Sequence, residues 1–391
     1  MKLLQISKFY PPDHGGIEAV ARDLSAGAVR HGWQVSVLCA HKKRRHTEER
    51  DALGVRITRA AKFGTWLSTS VAPGLVWRLW QRRREADIVH VHMPDPLAAL
   101  AVWVARPRAR VVVHWHSDVV RQRIARHIYR PLERWLLGRA DAVIATSQAY
   151  ADSSPALQTV RAKLVVIPIG APAPTAPDPR RVARLRHAHP GQRLVFALGR
   201  MTYYKGWEVL IEATRHLPDD VVVIVGGGGS RSDLAAYRAL AFAAGHPGRI
   251  QFVGPLSAAS VEAHFAVASV FCMPSTVRAE AFGVAALEAM ARGLPVVSTA
   301  IQGSGLGWLQ QPGVTGLQVP VRDPVALAAA LRQLLDDPPL AARLGAAGRA
   351  RWAEHFSAET MADQTVALYQ RLLAARPGDA THPLPETMGP T

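Results

Sequence analysis

Val221-Val222-Val223-Ile224-Val225-Gly226-Gly227-Gly228-Gly229 says more about the architecture than any other segment of the chain. Five consecutive β-branched residues leave no polar face, so a strand here is buried on both sides, as in a parallel sheet covered by helices. The glycines that follow allow a tight turn or a close approach of backbone to a ligand.

Runs of the same kind recur on both sides of it. Lys2 to Ser7, Val35 to Cys39, Ile88 to His92, Arg110 to Trp115, Ala142 to Thr146 and Leu164 to Pro168 read as strands in the first half. Leu194 to Leu198, Ile250 to Val253, Val270 to Met273, Pro295 to Ser298 and Gly316 to Val319 join Val221 to Val225 in the second. Helical periodicity fills most of the gaps, so the fold class is α/β, two Rossmann-like doubly wound parallel-sheet domains. Ligands of such sheets bind at the carboxyl ends of the strands, here in a cleft that both domains would face.

A chain of 391 residues exceeds one ordinary core and suits two. The expected division is an N-terminal Rossmann-like domain over residues 1–170, a linker over 171–192 and a second Rossmann-like domain over 193–356. The Pro-rich run Gly170 to Pro179 motivates the linker. A helix over 357–375 is expected to return to the N-terminal domain, and the Pro/Gly/Thr-rich segment 376–391 to be disordered.

With 20% of residues charged and no apolar run near the length that spans a bilayer, the composition is that of a soluble protein. No secretory signal is legible at the N-terminus, so a cytoplasmic location is expected. Two cysteines, Cys39 and Cys272, one in each half, argue against a disulfide framework and against zinc-thiolate sites. Net charge is +17 and lopsided: residues 1–170 hold 27 Lys and Arg against 13 Asp and Glu, the remainder 20 against 17. An anionic partner for the first half, or simply a solvated basic face, accounts for this. Nucleic acid is not expected, since no recognised binding motif accompanies the charge. Trp77-Arg78-Leu79-Trp80-Gln81-Arg82-Arg83-Arg84 combines aromatic anchors with cations, as does the basic stretch Arg121 to Arg130, and an anionic membrane surface fits both.

Motifs fall at the strand ends. Gly15 and Gly16 lie between the first strand and first helix, where free N–H groups favour an anion. Arg200 and Lys205, just past the first strand of the second domain, supply a planar fork and a mobile point charge for a diphosphate. Glu280 to Glu288 places two carboxylates around Gly283, which would open a helix; carboxylates suit sugar and ribose hydroxyls. Glu280 and Arg200 are expected at an open cleft. His90-Val91-His92 and His114-Trp115-His116 end successive strands, but no third ligand stands at a recognisable spacing, so no metal is expected and His116 is preferred as a substrate contact.

These ordered motifs resemble the retaining glycosyltransferases of family 4, which have the GT-B fold, from Lys2 to about Ala374. The resemblance implies that Arg200 and Lys205 bind the donor diphosphate, Glu280 the transferred sugar and Glu288 the ribose. Val253 and its neighbours would meet the base, and Phe282, Gly283 and Val284 the sugar and phosphates through main chain. Gly15 and Gly16 match the N-terminal glycine loop, and His116 a histidine on the acceptor side. It further implies a retaining reaction without a cofactor, and the lack of any Asp-x-Asp fits independence from metal. The segments Tyr203 to Gly206 and His114 to Asp118 are most similar to bacterial mannosyl- and rhamnosyltransferases of surface polysaccharide assembly. A GDP-sugar donor is therefore expected, with a glycan or polyprenyl-diphosphate-linked acceptor at the inner face of the cytoplasmic membrane. A nucleotide-sugar epimerase, also two-domained, is the alternative.

Overall fold

The computed structural model describes residues 1–13, 15–66, 69–118, 123–245 and 248–375, without the side chains of 123–128. The segment 376–391, much of the basic stretch from Arg121, and His14 of the glycine loop lie outside these residues. Two compact units emerge: residues 1–170 together with the C-terminal segment from Ala358, and Ala171–Ser357.

In the first unit the strands are β1 (Lys2–Ser7), β2 (Gln34–Ala40), β3 (Thr47–Arg50), β4 (Arg56–Ala60), β5 (Gly64–Trp66), β6 (Thr69–Val71), β7 (Ile88–Met93), β8 (Arg110–Trp115), β9 (Ala142–Ala145) and β10 (Leu164–Val166). Eight of them form one sheet in the order β10-β9-β8-β7-β1-β2-β4-β3, parallel except for the β3–β4 pair, and β5–β6 is a separate hairpin. The second unit holds β11 (Arg193–Leu198), β12 (Val221–Gly226), β13 (Ile250–Gly254), β14 (Val270–Met273), β15 (Val296–Thr299) and β16 (Gly316–Val319), all parallel, in the order β13-β12-β11-β14-β15-β16. In each sheet the first strand is paired on one side by the next and on the other by a later one. The order therefore reverses between β1 and β7, and between β11 and β14, the switch points at which open α/β sheets bind ligands.

Helices α1 (Gly16–Arg30), α2 (Pro73–Gln81), α3 (Pro96–Ala105), α4 (Arg123–Arg139), α5 (Gln148–Ser153) and α6 (Pro155–Gln158) belong to the first unit. Helices α7 (Pro179–Ala188), α8 (Trp207–Ala213), α9 (Arg231–Ala243), α10 (Ala258–Val267), α11 (Val284–Ala291), α12 (Leu306–Leu309), α13 (Pro324–Asp336) and α14 (Pro338–His355) belong to the second. The last helix, α15 (Ala358–Ala374), is part of the first unit and packs on α1. A Cβ on Gly27 of α1 would collide with Ala362 of α15, so small residues set how closely the two helices approach. Trp33 and Tyr369 complete the contact, with ring centroids 5.5 Å apart.

One expectation needs correction. Residues 171–192 are not a bare linker, because 179–188 is a helix of the second unit that packs against α10, Arg181 donating to Ser260 Oγ at 3.1 Å. The prolines that suggested a break include its own start: Pro179 needs no N–H partner at the first helical position, and the Asp178 carboxylate accepts from Arg180 N as the cap. No described helix is long and apolar enough to cross a membrane.

Candidate functional site

In the second unit the loops after β11, β12 and β13 are zipped through glycine backbone: Gly199 N donates to Gly226 O, Met201 N to Gly228 O and Gly227 N to Gly254 O, at 3.0, 2.8 and 2.8 Å. Gly227 has φ 139°, and a Cβ there would collide with the Gly199 carbonyl, so glycine is required. Across the switch point the loop after β11 is also tied to the loop after β14, Thr276 N donating to Tyr204 O at 2.8 Å. Gly206, at φ 70°, sits against the Pro274 carbonyl, where no side chain fits.

This junction brings Lys205 to Glu280. The Lys205 ammonium donates to Glu280 Oε2 at 2.6 Å, and the Ser275 hydroxyl donates to the same oxygen at 2.9 Å. Lys205 is only 7% and Glu280 8% exposed, so the pair is buried rather than open to a cleft as expected for Glu280. Ser304 Oγ donates to the Glu280 carbonyl, and Gly305 N to Ala281 O at 2.7 Å, which fixes the segment leading into α11. Gly283 caps α11 at φ 93°, a left-handed conformation suited to glycine. Phe282 is buried against Trp308 and Phe356, leaving Val284 at the helix start. Glu288 lies one turn further on, half-buried, on the same partly accessible side of α11 as Val284 and Ala285. Arg200 is exposed; its guanidinium donates to the Tyr204 hydroxyl at 2.9 Å, and the Lys205 ammonium stands 5.6 Å from the Tyr204 ring. Val253 is exposed at the end of β13, beside a Phe252 ring that stacks on Tyr237.

The structure thus gathers Arg200, Lys205 and Glu280 around one loop junction, with Gly283 and Val284 at the adjoining helix start. Sequence reasoning missed Ser275, Ser304 and Tyr204. Only Tyr204, lying between the two cations, carried a signal.

The remaining candidates stand in the first unit. Gly15 caps α1 in extended backbone, and Gly16 opens the helix. The loop before them is held from below by buried Arg59, whose guanidinium donates to the carbonyls of Tyr10 and Pro11 and pairs with Glu49 at 2.9 Å. The ammonium groups of Lys8, Lys42 and Lys62 all lie within 6 Å of the Phe9 ring centroid, at 5.9, 5.7 and 5.7 Å.

Four histidines fill the end of β7 and β8. The parallel register sets His92 beside His114, and His90, His92, His114 and His116 are all buried with their rings clustered. Nitrogens of His90, His92 and His114 lie within 4.8 Å of one another, a third neighbour that spacing alone did not offer. His92 Nδ1 is 2.9 Å from His116 Nε2, and the Tyr369 hydroxyl is 2.7 Å from His90 Nδ1, so these three histidines bond side chains rather than backbone groups, while both nitrogens of His114 and Nε2 of His90 are buried without a hydrogen-bond partner among the described residues. Burial disfavours the charged form of all four: His90, His92 and His114 are held well below the ordinary value of 6.5, and His116 is lowered to about 3. The sign of the linkage follows. The unfolded chain binds protons as pH falls through 6.5 while the folded chain does not, so stability present above pH 6.5 is lost toward the folded values. Urea midpoints measured between about pH 7.5 and 4.5 should fall steeply below pH 6.5 and less steeply in His114→Gln; parallel profiles would contradict a neutral cluster.

Residues 15–170 match the Glycosyl transferase 4-like domain family, and residues 181–351 the Glycosyl transferases group 1 family. The chain is 32% identical to O-antigen chain mannosyltransferase C of Escherichia coli, covering 96% of this chain and all of that one. It is 35% identical to D-rhamnosyltransferase WbpZ of Pseudomonas aeruginosa over 70% of this chain and 71% of the relative. Among solved structures, a sucrose-phosphate synthase of Thermosynechococcus elongatus superposes with TM-score 0.79 at 25% identity, covering 96% of this chain and 100% of that one. The Anabaena protein Alr3699/HepE in complex with UDP-glucose shares the fold, with TM-score 0.74 at 21% identity over 95% of this chain and 100% of that one. Family matches on both halves and full-length relatives set the epimerase alternative aside: the chain belongs to the family 4 glycosyltransferases of GT-B fold.

Proposed function

We propose that the chain is a retaining, metal-independent hexosyltransferase that moves mannose or a related sugar from a GDP-sugar to a glycan or polyprenyl-diphosphate-linked acceptor in surface polysaccharide synthesis. The observation that carries this reading is the Lys205–Glu280 pair, held by Ser275 at the switch point of the second sheet with Arg200 on the same loop. The family resemblance gives the roles, and the geometry is consistent with them. Glu280 offers its carboxylate to sugar hydroxyls and Glu288 its carboxylate to the ribose, while Arg200 and Lys205 neutralise the diphosphate as the bond to the sugar C1 breaks. The N–H groups at the start of α11 add a partial positive charge. The acceptor oxygen bonds to C1, and its proton passes to the leaving phosphate.

The full-length mannosyltransferase relative and the rhamnosyltransferase relative support the sugar class. An anionic acceptor and membrane surface are supported by the lysines around Phe9 and by an aromatic patch on the first unit. Trp77 and Trp80 stack at 5.2 Å with Arg83 over the Trp80 ring, and Trp66 and Trp103 are also exposed. Exposed tryptophans beside arginines suit the interface of an anionic leaflet, here the cytoplasmic face.

A thermal-shift panel of GDP-, UDP-, ADP- and dTDP-sugars, followed by transfer assays with a lipid diphosphate acceptor, tests the donor. GDP-mannose should raise Tm most, the product should keep the donor anomeric configuration, and a chelator should leave the rate unchanged. Absence of any shift would sink the donor reading. Co-flotation with phosphatidylglycerol vesicles should drop on replacing Trp77 and Trp80 by alanine; equal flotation removes the patch.

A further inference from the structure

Gln5 sits in the middle of β1, fully buried, with its side chain between α1 and the histidine cluster. Its Nε2 donates to Ala21 O at 3.1 Å and to Ser25 Oγ at 2.7 Å. A carbonyl only accepts, so the amide cannot be flipped, and Gln5 Oε1 faces the other way as an acceptor. His92 Nε2 lies 2.8 Å from that oxygen and must therefore carry a hydrogen. A neutral imidazole has one N–H, which leaves His92 Nδ1 bare. Burial among the other histidines keeps His92 neutral. His116 Nε2, 2.9 Å from His92 Nδ1, must then be the donor, and the lone pair of His116 is on Nδ1.

We propose that Gln5 and His92 are positioning residues that lock His116 in its Nε2–H tautomer, so that His116 presents a hydrogen-bond acceptor, bare Nδ1, to the sugar acceptor. This rests on the reading of His116 as an acceptor-side group. Hydrogens are donated along this chain in one direction only, from His116 to His92 to Gln5 and on to α1, because each neutral imidazole has a single hydrogen to give. His116 then selects for a group that donates, a hydroxyl rather than an ether or a carbonyl, and orients its oxygen. It takes no proton itself. The acceptor O–H proton still leaves with the phosphate as the new C1–O bond forms and the old one breaks.

Two-bond ¹⁵N–¹H NMR on the full chain labelled at histidine reads the tautomer directly, with His116 assigned by loss of its signals in His116→Asn. The expected pattern is a protonated Nε2 and a bare Nδ1 in the wild type. His92→Phe, which removes the acceptor, should mix the tautomers and lower kcat at least about tenfold with the donor KM unchanged; a 10-fold loss corresponds to about 1.4 kcal/mol. His92→Gln, which restores an accepting oxygen, should recover most of both. A protonated Nδ1 in the wild type overturns the proposal, and so does a His92→Phe variant that folds and keeps the wild-type kcat. A stoichiometric transition metal on the purified chain, lost in His114→Gln, also overturns it, since the metal would claim the lone pair of His92. If His116→Ala transfers sugar at the wild-type rate, the acceptor-side reading fails, and the persisting wild-type NMR pattern tells this apart from failure of the hydrogen-bond chain.

Discussion

Glu280→Ala is expected to abolish measurable transfer and to destabilise the protein by about 3 kcal/mol. Both effects have one origin. The carboxylate is buried against the Lys205 ammonium at 2.6 Å, and its deletion leaves a cation in a nearly closed site with only polar neighbours to solvate it. Loss of one partner from a buried pair costs far more than replacing both by apolar groups of similar volume. Urea denaturation should therefore show the double variant Glu280→Met/Lys205→Met close to wild-type stability, while its transfer stays as low as that of either single variant. A Glu280→Ala protein as stable as wild type would show that the pair is not buried when the protein is free. The sequence reading placed Glu280 at an open cleft, and its burial changes what its removal costs the fold.

Arg200→Ala is expected to lower kcat/KM for the donor about a hundredfold while leaving stability within about 0.5 kcal/mol. Arg200 is exposed, and its guanidinium donates to the Tyr204 hydroxyl at 2.9 Å. In the proposed reaction its contribution is made to the bound diphosphate. Arg200→Lys should recover only part of the loss, because a point charge replaces a planar fork. Initial rates over a range of donor concentration, with Tm measured in parallel, check both statements. Unchanged kcat/KM in the alanine variant would remove Arg200 from the site.

Much of this was legible in the sequence. Buried parallel strands have no alternation to disguise them, so Val221 to Val225 and its counterparts were readable one by one. Elements at and beside the sheet edge were not: β4, Arg56–Ala60, is largely buried and parallel to β2 but carries Thr58 and Arg59 in its run, β3, Thr47–Arg50, is polar along its length and pairs antiparallel with β4, and α7 begins at a proline that also resembles a break. The charged loop after β11 and the glutamates around Gly283 were evident as motifs. That Lys205 meets Glu280 was not, because 75 residues separate them and their contact depends on which strands are neighbours. The histidines illustrate the same limit. Each His-x-His pair is visible alone, but the parallel register that sets His92 beside His114 is a property of the sheet.

Helix α15 covers α1 of the first unit, although the whole second unit is encoded between them. On the ribosome this reverses the order of completion: residues 171–357 have their full complement of contacts before residues 1–170 do. Until α15 emerges, the nascent first unit lacks the partners of Gly27, Trp33 and His90, and the surface they form stays open to unwanted association.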